Sequence, residues 1–233
     1  TAAFIIVSPA LGMLLAIIVG IGIGMAAGGF AGLMITRLRV PPFIVTLALM
    51  TVCRGLAFIF TGGFSIGNLP LGFGFLGRGH LGPIPVPVVM MALVFLGGYL
   101  LLSKSAQGRY IYAIGDNEQA ARLAGVDVRR YKAFVYVICG GLAALAGLVH
   151  CAQLEQGNPN DGVGYELDAI AAVVIGGTSL SGGVGTVGGT LVGTLIIGII
   201  NNSMGLNNID ANLQLILKGA IILAAVWVQT RRR

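Results

Sequence analysis

The chain has 233 residues, of which 56% are hydrophobic and 9% charged, with a formal net charge of +6. An ordinary soluble domain carries roughly 25% charged residues, so this composition excludes a soluble globular protein. The excess of base sits in short segments between apolar runs, where it reports orientation across a membrane and argues against a nucleic-acid partner.

Apolar runs bounded by charge or by Pro/Gly punctuation predict spans near residues 10–35, 43–60, 86–103, 133–153, 169–180, 187–203 and 212–229. Several approach the roughly 20 residues needed to cross a hydrocarbon core. The expected fold class is an all-α membrane protein, a polytopic transmembrane helical bundle forming one domain over 1–233. The fifth run is too short for a simple crossing and leads into the glycine-rich stretch Gly176 to Thr186, so a discontinuous or re-entrant helix is expected there.

In the first run Gly20, Gly24, Gly28 and Gly32 recur every four residues, a spacing that lets helix backbones approach closely in lipid. Gly22-Ile23-Gly24-Met25-Ala26-Ala27 satisfies the letter of a dinucleotide fingerprint. No strand precedes it and no acid occurs before Asp116, so helix packing is the reading. The second run holds Arg54, whose charge near a bilayer centre costs about 2.5–3.5 kcal/mol on insertion scales. Arg54 lines a translocation pathway, or it is a structural arginine bonded to carbonyls or snorkelling to an interface. The histidines, His80 in a Gly/Pro-rich external loop and His150 near the outer end of a span, have no nucleophile or acid partner by spacing. Cys53, Cys139 and Cys151 lie inside apolar runs without metal-ligand spacing, which predicts neither a disulfide nor a metal site.

The segment 104–132 carries Lys104, Arg109, Arg122, Arg129, Arg130 and Lys132, and the chain ends in Arg231-Arg232-Arg233. The positive-inside rule makes both cytoplasmic, and four predicted runs between them satisfy the parity. Counting back from 104–132 puts Thr1 outside, so further N-terminal spans are expected upstream. Within this loop Asp116 or Asn117 can cap a short helix, Glu118 falls in its first turn, and Gly125 stands where it would stop. Ala120 and Ala121 give that helix a small-residue face able to seat in a groove on another protein.

Later in the chain, Gly176 to Gly189 contains no lysine and lacks the Gly-Lys-Ser/Thr ending of a phosphate loop, so it predicts no ATP site. Asn201 and Asn202, at the end of a span, either bond a polar solute on a translocation pathway or bond neighbouring helices. Lys218 in the last run is expected to snorkel. No acid is expected in mid-span, which argues against an ion-coupled secondary transporter, the alternative function. No paired carboxylates or other catalytic constellation emerge, so the chain is not expected to be an enzyme.

Glu118, Ala120, Ala121 and Gly125 together resemble the coupling-loop motif of ABC importer permeases, with Gln119 standing where that motif has its first alanine. The longer text, Gly108-Arg109-Tyr110 through Gly125, Gly164-Tyr165-Glu166-Leu167-Asp168 through Leu180, and Phe43-Ile44-Val45-Thr46-Leu47 with Arg54-Gly55, resembles the ribose/xylose/galactose-type permease family along essentially the whole chain. That resemblance implies a permease subunit importing a monosaccharide or related polyol across the bacterial inner membrane. It implies as partners an ABC ATPase subunit that binds ATP and Mg, a periplasmic sugar-binding protein and a second permease copy forming a homodimer. It also assigns Asn117, Glu118, Ala120, Ala121 and Gly125 to the ATPase-coupling interface.

Overall fold

A computed structural model describes residues 11–67, 69 and 71–231. Helices dominate it. In chain order they are α1 (Leu11–Arg37), α2 (Pro42–Thr61), α3 (Leu71–Arg78), α4 (Val86–Tyr99), α5 (Ala106–Asp116), α6 (Glu118–Leu123), α7 (Val128–Leu154), α8 (Tyr165–Ile175), α9 (Val187–Leu206) and α10 (Ala211–Arg231). Strands β1 (His80–Leu81) and β2 (Ile84–Pro85) form an antiparallel hairpin in which His80 faces Pro85 and Leu81 faces Ile84. Helix α4 continues into a π-helical turn at Leu100–Lys104.

Among the described residues five helical stretches are long and apolar enough to span a membrane: Met13–Arg37, Pro42–Thr61, Val86–Lys104, Val128–Leu154 and Val187–Leu206. The apolar part of α10, Asn212–Trp227, is shorter. A helix satisfies its own backbone groups, which is why apolar chain in lipid folds this way. Side-chain hydroxyls are satisfied locally too: Thr36 donates to the Gly32 carbonyl at 2.7 Å and Thr51 to that of Leu47 at 2.7 Å. The predicted runs fall on α1, α2, α4, α7, α8, α9 and α10. The fifth is shifted: helix α8 starts at Tyr165 and ends at Ile175, followed by non-helical chain to Thr186.

The chain divides into two compact units, residues 1–93 with 129–161, and residues 94–128 with 162–233. In the first unit α1 packs on α7 through the glycines that sequence spacing singled out. A Cβ on Gly24 would collide with the carbonyl of Gly140, one on Gly28 with the carbonyl of Tyr136, and one on Gly32 would come within 2.9 Å of the Ala133 Cα. Helix α3 and the hairpin, unassigned from sequence, belong to the same unit. Phe73 of α3 is fully buried with Ala16, Leu148 and Ala152. Arg78 donates from Nε to the Gln153 carbonyl at 2.7 Å and pairs with Glu155 at 3.0 Å. His80 is exposed, whereas His150 Nε2 lies 3.8 Å from Asp161 Oδ2, an acid partner that sequence spacing did not reveal.

In the second unit α8 packs against α9 and α10, with Ala171, Ala172 and Ile197 at its core and Ile175, Ile221 and Ile222 around them. Gly193 of α9 sits directly on the carbonyl of Ala172, leaving no room for a side chain.

Candidate functional site

The segment 104–132 is more structured than a loop with one short helix, because α5 precedes α6 within it. Ser105 caps α5, its hydroxyl accepting from the Gly108 amide at 3.1 Å. Asn117 then serves both helices. Its amide donates to the Ala113 carbonyl at 3.0 Å, ending α5, and its side-chain oxygen accepts from the Ala120 amide at 3.0 Å, starting α6. Glu118 in the first turn pairs with Arg122 at 3.1 Å, one turn on.

The far end of α6 closes with the bond pair of a Schellman motif: the Val126 amide donates to the Ala121 carbonyl at 3.0 Å, and the Gly125 amide to that of Arg122 at 3.1 Å. Gly125 has φ +83°, a left-handed conformation that costs a residue with a Cβ roughly 1 kcal/mol or more. Sequence reasoning therefore located both ends of this helix. Its faces divide the two alanines, with Ala120 exposed and Ala121 only 6% exposed. Leu123, which sequence reasoning passed over, is 91% exposed on a helix whose other exposed side chains are polar or small. A leucine at the last turn of a capped polar helix was the available signal.

Of the three residues placed on a pathway from sequence, Arg54 belongs to the first unit and Asn201 and Asn202 to the second. Arg54 lies in α2, partly buried, with no hydrogen bond or ion pair among the described residues. Asn202 is exposed on α9. Asn201 is drawn into a polar cluster of the second unit, where its Nδ2 donates to Asp168 Oδ2 at 3.1 Å. Lys218 of α10 donates to the same oxygen at 2.9 Å, and the two charged side chains are 18% and 19% exposed. Lys218 thus does not snorkel as expected, and Asp168 lies in the first turn of α8. Asp168 Oδ1 and Asn201 Oδ1 are buried without a hydrogen-bond partner. The cluster ties α8, α9 and α10 together.

Among the described residues no group of three His, Cys, Asp or Glu side chains could hold a metal ion. The glycine-rich chain after α8 is a tight turn held by its own backbone, the Ser179 amide donating to the Val184 carbonyl at 2.8 Å and the Gly182 amide to that of Ser179 at 3.1 Å.

A family model described as "Branched-chain amino acid transport system / permease component" matches residues 1–226. The chain is 43% identical over 225 residues to the ribose import permease protein RbsC of Escherichia coli K12, covering 94% of this chain and 70% of that protein. It is 48% identical over 220 residues to RbsC of Bacillus subtilis, covering 94% and 68%. It is 39% identical over 212 residues to the L-arabinose transport system permease protein AraH of E. coli K12, covering 88% and 65%. No solved structure matches the chain. With five membrane-length apolar helices among its described residues and a family match along nearly its whole length, the chain is a multi-pass membrane protein and belongs to this family of transport-system permease components.

Proposed function

We propose that this chain is the membrane-spanning permease subunit of an ATP-binding-cassette importer, carrying a monosaccharide or related polyol across the bacterial inner membrane. The observation that carries the reading is the presentation of α6, a two-turn helix capped at both ends, with Ala120 and Leu123 outward. Such a helix fits a groove on another protein: Leu123 supplies an apolar anchor, Ala120 permits close approach, and the caps keep the helix intact when pushed. The sugar names of the relatives indicate the cargo.

In this reading an ABC ATPase binds ATP and Mg and docks on Asn117, Glu118, Ala120, Ala121 and Gly125. Ala121 acts from within by setting the seat of α6, and this chain itself hydrolyses nothing. A periplasmic sugar-binding protein delivers the solute to a cavity shared by two permease copies. The basic segment 104–132 and the C-terminus face the cytoplasm. Arg54, Asn201 and Asn202 are the candidate polar groups along the path, with Asn201 acting through its bond to Asp168.

A second reading, an ion-coupled carrier working alone, draws on Asp168, a shielded carboxylate next to an apolar helix core. Copurification of the permease with its ATPase, followed by uptake in vesicles containing binding protein, separates the two. Leu123→Asp, Gly125→Asp and Glu118→Lys are expected to leave a monodisperse permease that neither retains the ATPase nor takes up sugar. Uptake by the wild-type permease without ATP, abolished by Asp168→Asn, would establish the carrier instead.

A further inference from the structure

The glycine-rich segment after α8 touches the chain immediately before α6, and it does so with backbone. A Cβ on Gly115 would lie 2.6 Å from the Gly183 amide nitrogen, one on Gly182 would lie 2.7 Å from the Gly115 carbonyl oxygen, and one on Gly183 would lie 2.9 Å from the Asp116 Cα. The hydroxyl of Tyr112 donates to the Gly185 carbonyl at 2.8 Å in the same place. All of these partners stand within five residues of Asn117, the cap on which α6 begins.

At its other side the segment is joined as tightly to the broken helix. Gly176, which ends α8, is packed on Gly189 in the first turn of α9. Between these two contacts the turn is cross-braced by Ser179 to Val184 and by Gly185 against Thr178, where an added Cβ would come within 2.8 Å. Helix α8 is then held at its beginning by Asp168, bonded to Asn201 and Lys218.

From this continuity we propose that residues 176–186 pass displacement of α6 to the discontinuous helix α8, with Tyr112, Gly115 and Gly183 as positioning residues for the transport cycle. The inference rests on α6 being the ATPase-docking helix. Backbone packed on backbone has no rotamers to absorb a shift, and close-packed contacts transmit strain instead of dissipating it. A side chain at Gly183 would wedge this contact apart and loss of the Tyr112 hydroxyl would slacken it, both at the step between docking and pathway, and neither residue is one of the docking set.

The test uses the complete transporter of permease, ATPase and binding protein in proteoliposomes, with sugar uptake and ATP hydrolysis measured together. Tyr112→Phe removes the hydroxyl and keeps the ring; Gly183→Ala adds the colliding carbon. Gly82→Ala, in the hairpin, imposes similar left-handed strain at φ +64° but meets nothing within 4 Å. Tyr112→Phe is expected to retain the ATPase and to lower sugar moved per ATP by about fivefold, the loss of one neutral hydrogen bond. Gly183→Ala is expected to lower it further, and Gly82→Ala to keep the wild-type ratio. An unchanged ratio in Tyr112→Phe and Gly183→Ala, or loss of the ATPase from Tyr112→Phe, overturns the inference while the importer reading stands. ATP-independent uptake by the wild type overturns both.

Discussion

Two ion pairs in the second unit join the same kinds of group at almost the same distance. Glu118 and Arg122 meet at 3.1 Å, Asp168 and Lys218 at 2.9 Å. The first pair lies along one turn of α6, with side chains 40% and 59% exposed. Water screens it, and a pair of this kind contributes about 0.3–0.5 kcal/mol. The second joins residues 50 positions apart on α8 and α10 with both side chains largely shielded, and it takes a bond from Asn201 on α9 as well. Separating its members would leave a charge in surroundings that solvate it poorly. Solvent access, more than geometry, therefore makes one pair a local support of a surface helix and the other a clasp of three helices.

Lys218→Ala should break the comparison most visibly, because it leaves Asp168 without its cation. A loss of about 3–5 kcal/mol is expected in denaturant unfolding of the detergent-solubilised protein, and a loss near that of the exposed pair would show that water reaches the clasp. Replacing Asp168 and Lys218 together by leucine should recover most of that stability, since no lone charge remains. Asn117→Ala, which takes the cap from α6, should cost about 1 kcal/mol. Its effect should be local, read as faster amide exchange at Ala120 without a matching change in global unfolding. The smallest effect belongs to Arg122→Ala, expected below about 0.5 kcal/mol by the same unfolding measurement; a larger value would mean that Glu118 depends on Arg122 for more than helix support.

The parts of this fold legible in the sequence are those governed by local rules. Apolar length located the spans because lipid leaves the backbone few alternatives to a helix. Asn117 and Gly125 located α6 because caps and left-handed stops are chemistry of single residues. Glycines four apart announced a close helix contact on α1, although not that α7 would make it. Helix α3 escaped because Leu71-Gly72-Phe73-Gly74 looks like loop, and what holds it is long-range: Phe73 buried among Ala16, Leu148 and Ala152. The clasp escaped because Asp168 and Lys218 become neighbours only after α8, α9 and α10 pack, and a lysine in the first half of the last run reads equally well as an interfacial residue. Leu123 escaped because an apolar residue attracts notice only once its exposure is known.

The glycine seam between α1 and α7 also makes the chain unforgiving to changes in length. Gly24, Gly28 and Gly32 meet α7 because each step of four residues advances about 400° around the helix, a drift of only about 40°. One extra residue between Gly24 and Gly28 would turn Gly28 and Gly32 about 100° away and bring residues with side chains against the carbonyl of Tyr136. Four extra residues would nearly restore the facing. Along this stretch the reading frame of the helix is inherited in blocks of a turn, so natural variation there should proceed by exchange of residues far more readily than by their gain or loss.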